Sequence, residues 1–273
     1  MIKYKNLKPG IDENTAKNYS LFDWQCYFRT IYFNKNTQIK KDGFQDNQVS
    51  FIRGYLVSHI SQDLGDLAEA ITDSNPTNLR KKIGSIFAWI FALANELDAN
   101  IEDMIYEKFP GYCPYCCRTI NCECAYWTPK QQRKDKAREC NEPTDGKAHE
   151  RPTRIQGWIE IWDIIFGAKY KKALSIAFVL SKLLEESAEI LAETDKVEGR
   201  TVDKNKEYYK KMMDELADFT SWLFALIIKL EGKELENKTV PLILHEKFKD
   251  GCPWCPDKKI CNCKTPYWIY EKS

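Results

Sequence analysis

The sequence contains no apolar run that approaches the eighteen or so residues that a transmembrane helix requires. Its first residues, MIKYKNLKPG, also lack the apolar stretch of a secretory signal. These two absences predict a cytoplasmic protein with no membrane partner, and structural disulfides are rare in that compartment. The formal net charge of the 273 residues is only +1, which argues against a polyanionic partner and makes nucleic-acid binding unlikely to be the function.

Strand-like alternation of apolar and polar residues is also scarce, and no glycine-rich phosphate loop is present. These absences disfavour a doubly wound nucleotide-binding fold and a Walker-type phosphate site. Apolar residues instead recur at intervals of three and four in residues 84–97, 173–193 and 206–230. This spacing is typical of helices that bury one face, so the sequence predicts an all-α helical bundle.

Cysteine is the residue type with the clearest pattern, because the spacing C-x-x-C, five residues, C-x-C occurs twice. The two tetrads are Cys113, Cys116, Cys122 and Cys124, and Cys252, Cys255, Cys261 and Cys263. Four thiolates at this spacing can close a tetrahedron around Zn²⁺ and leave no open position for catalysis. We therefore predict two structural Zn²⁺ ions per chain, with a disulfide framework as the alternative. Cys26, Cys117 and Cys140 show no partner pattern and are predicted to be ordinary thiols.

The tetrads belong to a longer internal repeat, since a Glu-Lys-Phe triplet precedes each of them. Residues 21–32 parallel residues 155–166, with Trp24 opposite Trp158, and residues 84–97 parallel residues 217–230. The matched segments keep their order, which indicates a tandem duplication. We predict three regions: a first repeat with its zinc tail, a polar linker, and a second repeat with its zinc tail, at 1–125, 126–153 and 154–273. The repeats would form an internal pseudo-dimer, and a further homodimer stays open.

Acidic residues are concentrated at two places in the second repeat. EESAE contributes Glu185, Glu186 and Glu189, and ELAD contributes Glu215 and Asp218. On helices these spacings place each group on one face, among apolar residues that a bundle would bury. Carboxylates turned toward a bundle interior repel one another unless cations neutralise them, and such oxygen ligands suit Mg²⁺ or Mn²⁺. The alternative is a solvated acidic helix face.

Glu-Glu-x-x-Glu followed by Glu-x-x-Asp in an all-helical chain resembles the MazG-like nucleoside triphosphate pyrophosphohydrolases, whose relatives include the dimeric dUTPases. The resemblance implies Mg²⁺-dependent cleavage of a nucleoside triphosphate between its α- and β-phosphates, giving a monophosphate and pyrophosphate. It implies that the cation ligands are Glu186, Glu189, Glu215 and Asp218. Glu185 completes the implied catalytic set, and we favour it as the general base because it lies off the line of the other two glutamates.

The first repeat departs from this pattern. Its QDLGD segment offers Asp63 and Asp66, but Lys82 and Ser85 stand opposite Glu215 and Asp218. A lysine at that position can neutralise Asp63 or Asp66 and so replace a metal site by an ion pair. We therefore predict that the first repeat is catalytically degenerate, although a three-residue slip in this alignment is left open.

Five residues outside the acidic motifs are candidates for substrate binding. Trp222, four residues after Asp218, together with Trp24 and Tyr27 could stack on a base, and Lys247 could approach a phosphate, as could Lys108. The alternatives are that the aromatic residues belong to the core and that the lysines reach solvent. The function itself has an alternative, a non-catalytic nucleotide-sensing or partner-binding zinc module.

Overall fold

The computed structural model describes residues 2–41, 47–124, 140–194, 196, 207–230 and 233–253, without the side chains of 33–41 and 47–51. Within these ranges the chain is helical and has no strand, which confirms the predicted all-α class. None of the helices in the described ranges combines the length and apolarity needed to cross a membrane.

The helices of the first part of the chain are α1 (Glu13–Asn18), α2 (Leu21–Lys41), α3 (Asn47–Thr72), α4 (Pro76–Glu96) and α5 (Ile101–Lys108). Those of the second part are α6 (Ile155–Trp162), a π-helical turn (Asp163–Gly167), α7 (Ala168–Ala173), α8 (Ile176–Thr194), α9 (Glu207–Lys229), a 3₁₀ turn (Lys233–Leu235) and α10 (Val240–Phe248).

Side-chain caps explain where several of these helices begin. The Asn75 side chain accepts a hydrogen bond from the backbone of Asn78 at 3.1 Å, and Pro76 takes the first helical position of α4. Proline is favoured at this position because the first N–H has no partner within the helix. The sequence places a helix over residues 173–193, but α8 begins at Ile176, where the Ser175 hydroxyl accepts a hydrogen bond from the Phe178 N–H at 3.1 Å. Serine is a strong N-cap because it satisfies such a donor.

Two helical hairpins, α3 with α4 and α8 with α9, form the centre of the bundle, and α3 also packs on α8. The short helices that precede the cysteine tetrads cross between the two parts of the chain. Helix α5 packs on α9 as well as on α2, and α10 packs on α4 as well as on α6. This exchange brings the end of α5 to the acidic residues of the second part.

Aromatic residues of the core repeat the same exchange. Phe109, after α5, meets the Trp162 ring edge-on at 5.0 Å, and Phe248, at the end of α10, meets the Phe28 ring edge-on at 4.8 Å. Phe28 and Trp162 occupy equivalent positions of the two matched segments. The phenylalanine of each Glu-Lys-Phe triplet therefore packs against the other part of the chain, where aromatic burial is a large source of stability.

Candidate metal centres

Four of the predicted carboxylates come together where α8 packs on α9. Glu186 and Glu189 project from α8, and Glu215 and Asp218 project from α9. Carboxylate oxygens of Glu186, Glu189 and Glu215 lie within 4.8 Å of one another. A second group with the same closeness consists of Asp214, Glu215 and Asp218, so Glu215 belongs to both. The structure thus gathers the predicted acidic residues and adds Asp214.

Glu186 is the most buried member of this acidic site, with 7% of its surface exposed. Desolvation, followed by the neighbouring charges of Asp218, Glu215 and Glu189, raises the pKa of Glu186 to about 9. Its Oε2 atom is buried and makes no hydrogen bond among the described residues. A buried carboxylate oxygen without a partner is costly, and a cation bound beside it would remove that cost. The donor set is all oxygen, which fits Mg²⁺ or Mn²⁺.

Glu185 does not join the other carboxylates. It is exposed and forms a salt bridge with Lys182 at 2.5 Å, one turn earlier on the same helix. Successive residues of a helix point about 100° apart, so Glu185 cannot share the inward direction of Glu186. It lies outside both groups of oxygens. The prediction that Glu185 is the general base therefore finds no support in its position.

Lys108, the last residue of α5, reaches the acidic site from the first part of the chain. Its Nζ lies 2.8 Å from Asp214 Oδ1 and 2.6 Å from Asp218 Oδ2, and it also donates to the Asp214 carbonyl oxygen at 3.1 Å. Burial lowers the pKa of Lys108, but the carboxylates of Asp218 and Asp214 outweigh this effect and raise it above its usual value. Sequence reasoning missed Asp214, although its position four residues before Asp218 on one helix face is a usable signal.

The equivalent place in the first part of the chain contains an ion pair. Lys82 Nζ lies 2.8 Å from Asp63 Oδ1 and also contacts Asp66, as the sequence predicts. The Trp89 indole donates a hydrogen bond to the other Asp63 oxygen at 2.8 Å. Both oxygens of this buried carboxylate are thereby satisfied by groups of the protein. The site therefore resembles a neutralised core cluster rather than a cation site.

Lys247 lies in this first site, not beside the four clustered carboxylates. From α10 its ammonium donates to the Lys81 carbonyl oxygen at 2.7 Å and to the Ser85 hydroxyl. Burial lowers the pKa of Lys247 to about 8, while Asp63 opposes this shift and Lys82 and Lys81 add to it. Lys108 and Lys247, the lysines of the two Glu-Lys-Phe triplets, thus each reach the site of the other part.

The three aromatic candidates occupy different environments. Trp24 and Tyr27 have no exposed surface, and the Tyr27 hydroxyl donates to the Lys249 carbonyl oxygen at 3.0 Å. In these positions they are core residues and present no face to a base. Trp222 is half-buried near the acidic site, with its ring 6.1 Å from the ring of Phe178. Of the three, Trp222 alone has the exposed surface that stacking requires.

The first cysteine tetrad forms a compact cluster of free thiols that we call the knuckle, defined by Cys113, Cys116, Cys122 and Cys124. Cys113 Sγ lies 3.4 Å from Cys122 Sγ and 3.6 Å from Cys124 Sγ. The Sγ atoms of Cys116 and Cys122 are 3.7 Å apart. A tetrahedron with zinc–sulfur bonds of about 2.3 Å has edges of about 3.8 Å. The knuckle therefore has the donor set and nearly the spacing that Zn²⁺ requires.

Backbone contacts fix the knuckle onto the second part of the chain. The Cys122 N–H donates to the Ile165 carbonyl oxygen at 2.6 Å, and the Asn121 N–H donates to that of Ile164 at 3.2 Å. Gly111, at the entrance of the knuckle, has a φ of +81°, and a Cβ added there would lie 2.1 Å from the His149 carbonyl oxygen. This position therefore requires glycine both for its conformation and for the close approach of two backbone segments.

The prediction that Cys117 and Cys140 are ordinary thiols is wrong, and the predicted second zinc site extends beyond the described residues. Cys117 and Cys140 are joined by a disulfide, whereas the sequence predicts ordinary thiols. The error arises because a 23-residue separation carries no signal of spatial proximity. In the second tetrad only Cys252 is described, so the predicted zinc site formed with Cys255, Cys261 and Cys263 lies outside the described residues.

The described part of the predicted linker, residues 140–153, packs on the knuckle. The Asp145 carboxylate accepts hydrogen bonds from the Thr119 N–H at 2.6 Å and the Thr119 hydroxyl at 2.8 Å. His149 Nε2 lies 2.9 Å from the Thr119 carbonyl oxygen. These contacts fix residues 140–153 to the knuckle, although these residues form no helix.

Neither protein-family models, nor curated protein sequences, nor solved structures contain a match to this chain. The resemblance to MazG-like enzymes therefore depends on the motifs quoted above.

Proposed function

We propose that the chain is a Mg²⁺-dependent nucleoside triphosphate pyrophosphohydrolase of the MazG-like kind. Two observations carry this proposal: the four predicted carboxylates from α8 and α9 meet in two groups that share Glu215, and the buried Glu186 Oε2 makes no hydrogen bond among the described residues. Carboxylates held together in this way require positive charge, and a triphosphate brings Mg²⁺ with it. The reaction would release a nucleoside monophosphate and pyrophosphate.

In this proposal Glu186, Glu189, Glu215 and Asp218 hold Mg²⁺. The bound cation neutralises phosphate charge and lowers the pKa of the attacking water. Glu185 is exposed and paired with Lys182, so acceptance of the water's proton falls to a carboxylate within the cluster. Trp222 lies one helical turn beyond Asp218 and offers its exposed surface to the base.

We further propose that the two parts of the chain are tandem repeats related by a pseudo-twofold axis, with zinc stabilising each tail. The reciprocal packing of α5 on α9 and of α10 on α4 supports this arrangement. The Ser61 and Ser187 hydroxyls, which lie 3.3 Å apart, connect α3 to α8 between the repeats. In this arrangement the second repeat carries the catalytic site, and the first repeat contributes Lys108 to it.

The direct test is to incubate the purified chain with ribo- and deoxyribonucleoside triphosphates and Mg²⁺, and to measure pyrophosphate release. Asp218→Asn is the matched inactive control, because it changes one predicted ligand without changing side-chain size. We expect pyrophosphate and monophosphate in equal amounts from the parent protein. Nucleotide binding without turnover would instead favour the non-catalytic nucleotide-sensing module, and release of inorganic phosphate alone would exclude the proposed bond cleavage.

A further inference from the structure

Two groups of carboxylates at the acidic site share one residue, and a lysine occupies one of the groups. Glu215 belongs both to the group with Glu186 and Glu189 and to the group with Asp214 and Asp218. The Lys108 ammonium lies between the last two, at 2.8 Å from Asp214 Oδ1 and 2.6 Å from Asp218 Oδ2. These are the distances of strong charge-assisted hydrogen bonds.

We propose that Lys108 holds the second of two divalent-cation positions in the ligand-free protein and releases it when a triphosphate arrives. This inference rests on the proposed function. Paired divalent cations in phosphoryl-transfer sites lie about 3.5–4 Å apart, close enough for one carboxylate to contact both, and Glu215 belongs to both groups. An ammonium and a divalent cation cannot use the same oxygens of Asp214 and Asp218, since their like charges repel at contact distance. The resting site therefore accepts one cation, at Glu186, Glu189 and Glu215.

The position of Lys108 is enforced by the exchange between the two parts of the chain. Its side chain is 12% exposed, and the next residue, Phe109, packs against Trp162. The knuckle that follows is bound to the backbone of Ile165. The ammonium is thus held at Asp218 by the packed residues that follow Lys108, although its stem is flexible. A triphosphate supplies better acceptors for this ammonium, because phosphate oxygens carry more negative charge than the two carboxylates.

Lys247 provides a matched control, since it is the equivalent lysine of the second Glu-Lys-Phe triplet. Its ammonium contacts the Lys81 carbonyl oxygen and the Ser85 hydroxyl in the first site. Neither contact involves a residue of the two carboxylate groups. Neutralising Lys247 therefore removes a buried lysine of the same motif without touching the proposed cation positions.

The experiment is a titration with Mn²⁺, a spectroscopic substitute for Mg²⁺, followed by electron paramagnetic resonance. We expect about one tightly bound Mn²⁺ in the parent protein and in Lys247→Met, and about two in Lys108→Met. The pair in Lys108→Met should show magnetic coupling between the ions because they lie close together. Lys108→Arg keeps the positive charge, so we expect it to bind about one Mn²⁺, like the parent protein. Adding a nucleoside triphosphate with a non-hydrolysable α,β-bridge should raise the number of Mn²⁺ ions bound to the parent protein to about two.

The possible results bear differently on this inference and on the proposed function. Two coupled ions in the ligand-free parent, or one ion in a folded Lys108→Met, would overturn the role of Lys108 and leave the hydrolase proposal standing. An absence of Mn²⁺ binding in every variant would overturn both. Circular dichroism establishes that each variant is folded. If Lys108→Met fails to fold, the parent protein and Lys108→Arg decide the question through the analogue, because a parent that stays at one ion with the analogue bound contradicts the release of Lys108.

Discussion

The acidic site on α8 and α9 and the ion-paired site on α3 and α4 have the same helical support and opposite electrostatics. At the positions that correspond to Glu215 and Asp218, the first site has Lys82 and Ser85. In the first site the ammonium of Lys82 supplies the positive charge. The Asp63 carboxylate pairs with it and accepts a hydrogen bond from the Trp89 indole. On α8, Glu186 Oε2 makes no hydrogen bond among the described residues. The two sites therefore differ in whether the protein itself supplies the positive charge beside the carboxylates.

The largest expected difference between the two sites concerns catalysis. Glu189→Gln or Asp218→Asn should lower pyrophosphate release about a hundredfold or more, because each removes charge that holds the cation and stabilises the transition state. Asp66→Asn should leave the rate close to that of the parent. Its carboxylate pairs with Lys82, and its side chain is 41% exposed.

The measurement is steady-state pyrophosphate release at saturating Mg²⁺, accompanied by thermal unfolding without Mg²⁺. Relief of repulsion should leave Glu189→Gln as stable as the parent protein or slightly more so. If Asp66→Asn proved as damaging to the rate as Asp218→Asn, the first site would have to share in catalysis and the contrast between the sites would be wrong.

An effect of intermediate size is expected at the knuckle, which follows α5 in the first part of the chain but is fixed to the second part. Cys113→Ser should remove about one Zn²⁺ per chain and lower the melting temperature by roughly 10 °C, because structural zinc supplies folding free energy. It should also reduce activity at the acidic site, since α5 and Lys108 lead directly into the knuckle. Elemental analysis and calorimetry measure these effects. Cys26→Ser, a buried cysteine outside the knuckle, is the control and should retain its zinc.

The smallest expected effect is a pair of opposite pH dependences of stability. The pKa of Glu186 is raised from 4.5 to about 9, so the unfolded chain releases this proton first. Stability should therefore be lost as pH rises from about 4.5 to 9. The pKa of Lys247 is lowered from 10.5 to about 8, so above pH 8 the folded protein releases the proton first. The unfolded chain then binds more protons, and stability should be gained between about pH 8 and 10.5.

Urea unfolding in Mg²⁺-free buffer across this pH range checks both signs. Glu186→Gln should remove the loss and Lys247→Met should remove the gain. Saturating Mg²⁺ should flatten the Glu186 contribution only, because the cation binds ionised carboxylates. Curves for Glu186→Gln that run parallel to those of the parent protein would show that Glu186 is not forced into its neutral form.

Periodicity and spacing were enough to predict the all-α class, the helices α4, α8 and α9 and the four clustered carboxylates, because these depend on residues that are close along one helix or on two neighbouring helices. The Lys82 ion pair was predictable for the same reason, since Asp63 and Asp66 lie on the partner helix of that hairpin. The Glu-Lys-Phe triplet occurs twice, which indicated that it belongs to the duplicated pattern. It did not show that each lysine enters the site of the other repeat.

Features that depend on how the two repeats pack could not be predicted. The contact of Lys108 with Asp218 and the disulfide between Cys117 and Cys140 join segments whose separation along the chain carries no local pattern. The burial of Trp24 and Tyr27 gives no support to their predicted base stacking, and the sequence could not show this because an aromatic residue on a helix has the same signature in a core and in a pocket. Burial decides whether such a residue belongs to the core or to a pocket, and burial depends on how the whole bundle packs.

The crossing of α5 onto α9 and of α10 onto α4 means that each part of the chain covers a helix of the other. A fragment ending at Cys124 would expose the face of α4 that α10 covers, and a fragment beginning at Cys140 would lack the helix that covers α9. The two fragments produced together should reassemble into the native arrangement, while either alone should aggregate. Deleting the first part of the chain would therefore remove a packed helix, a lysine and an aromatic contact from the second part.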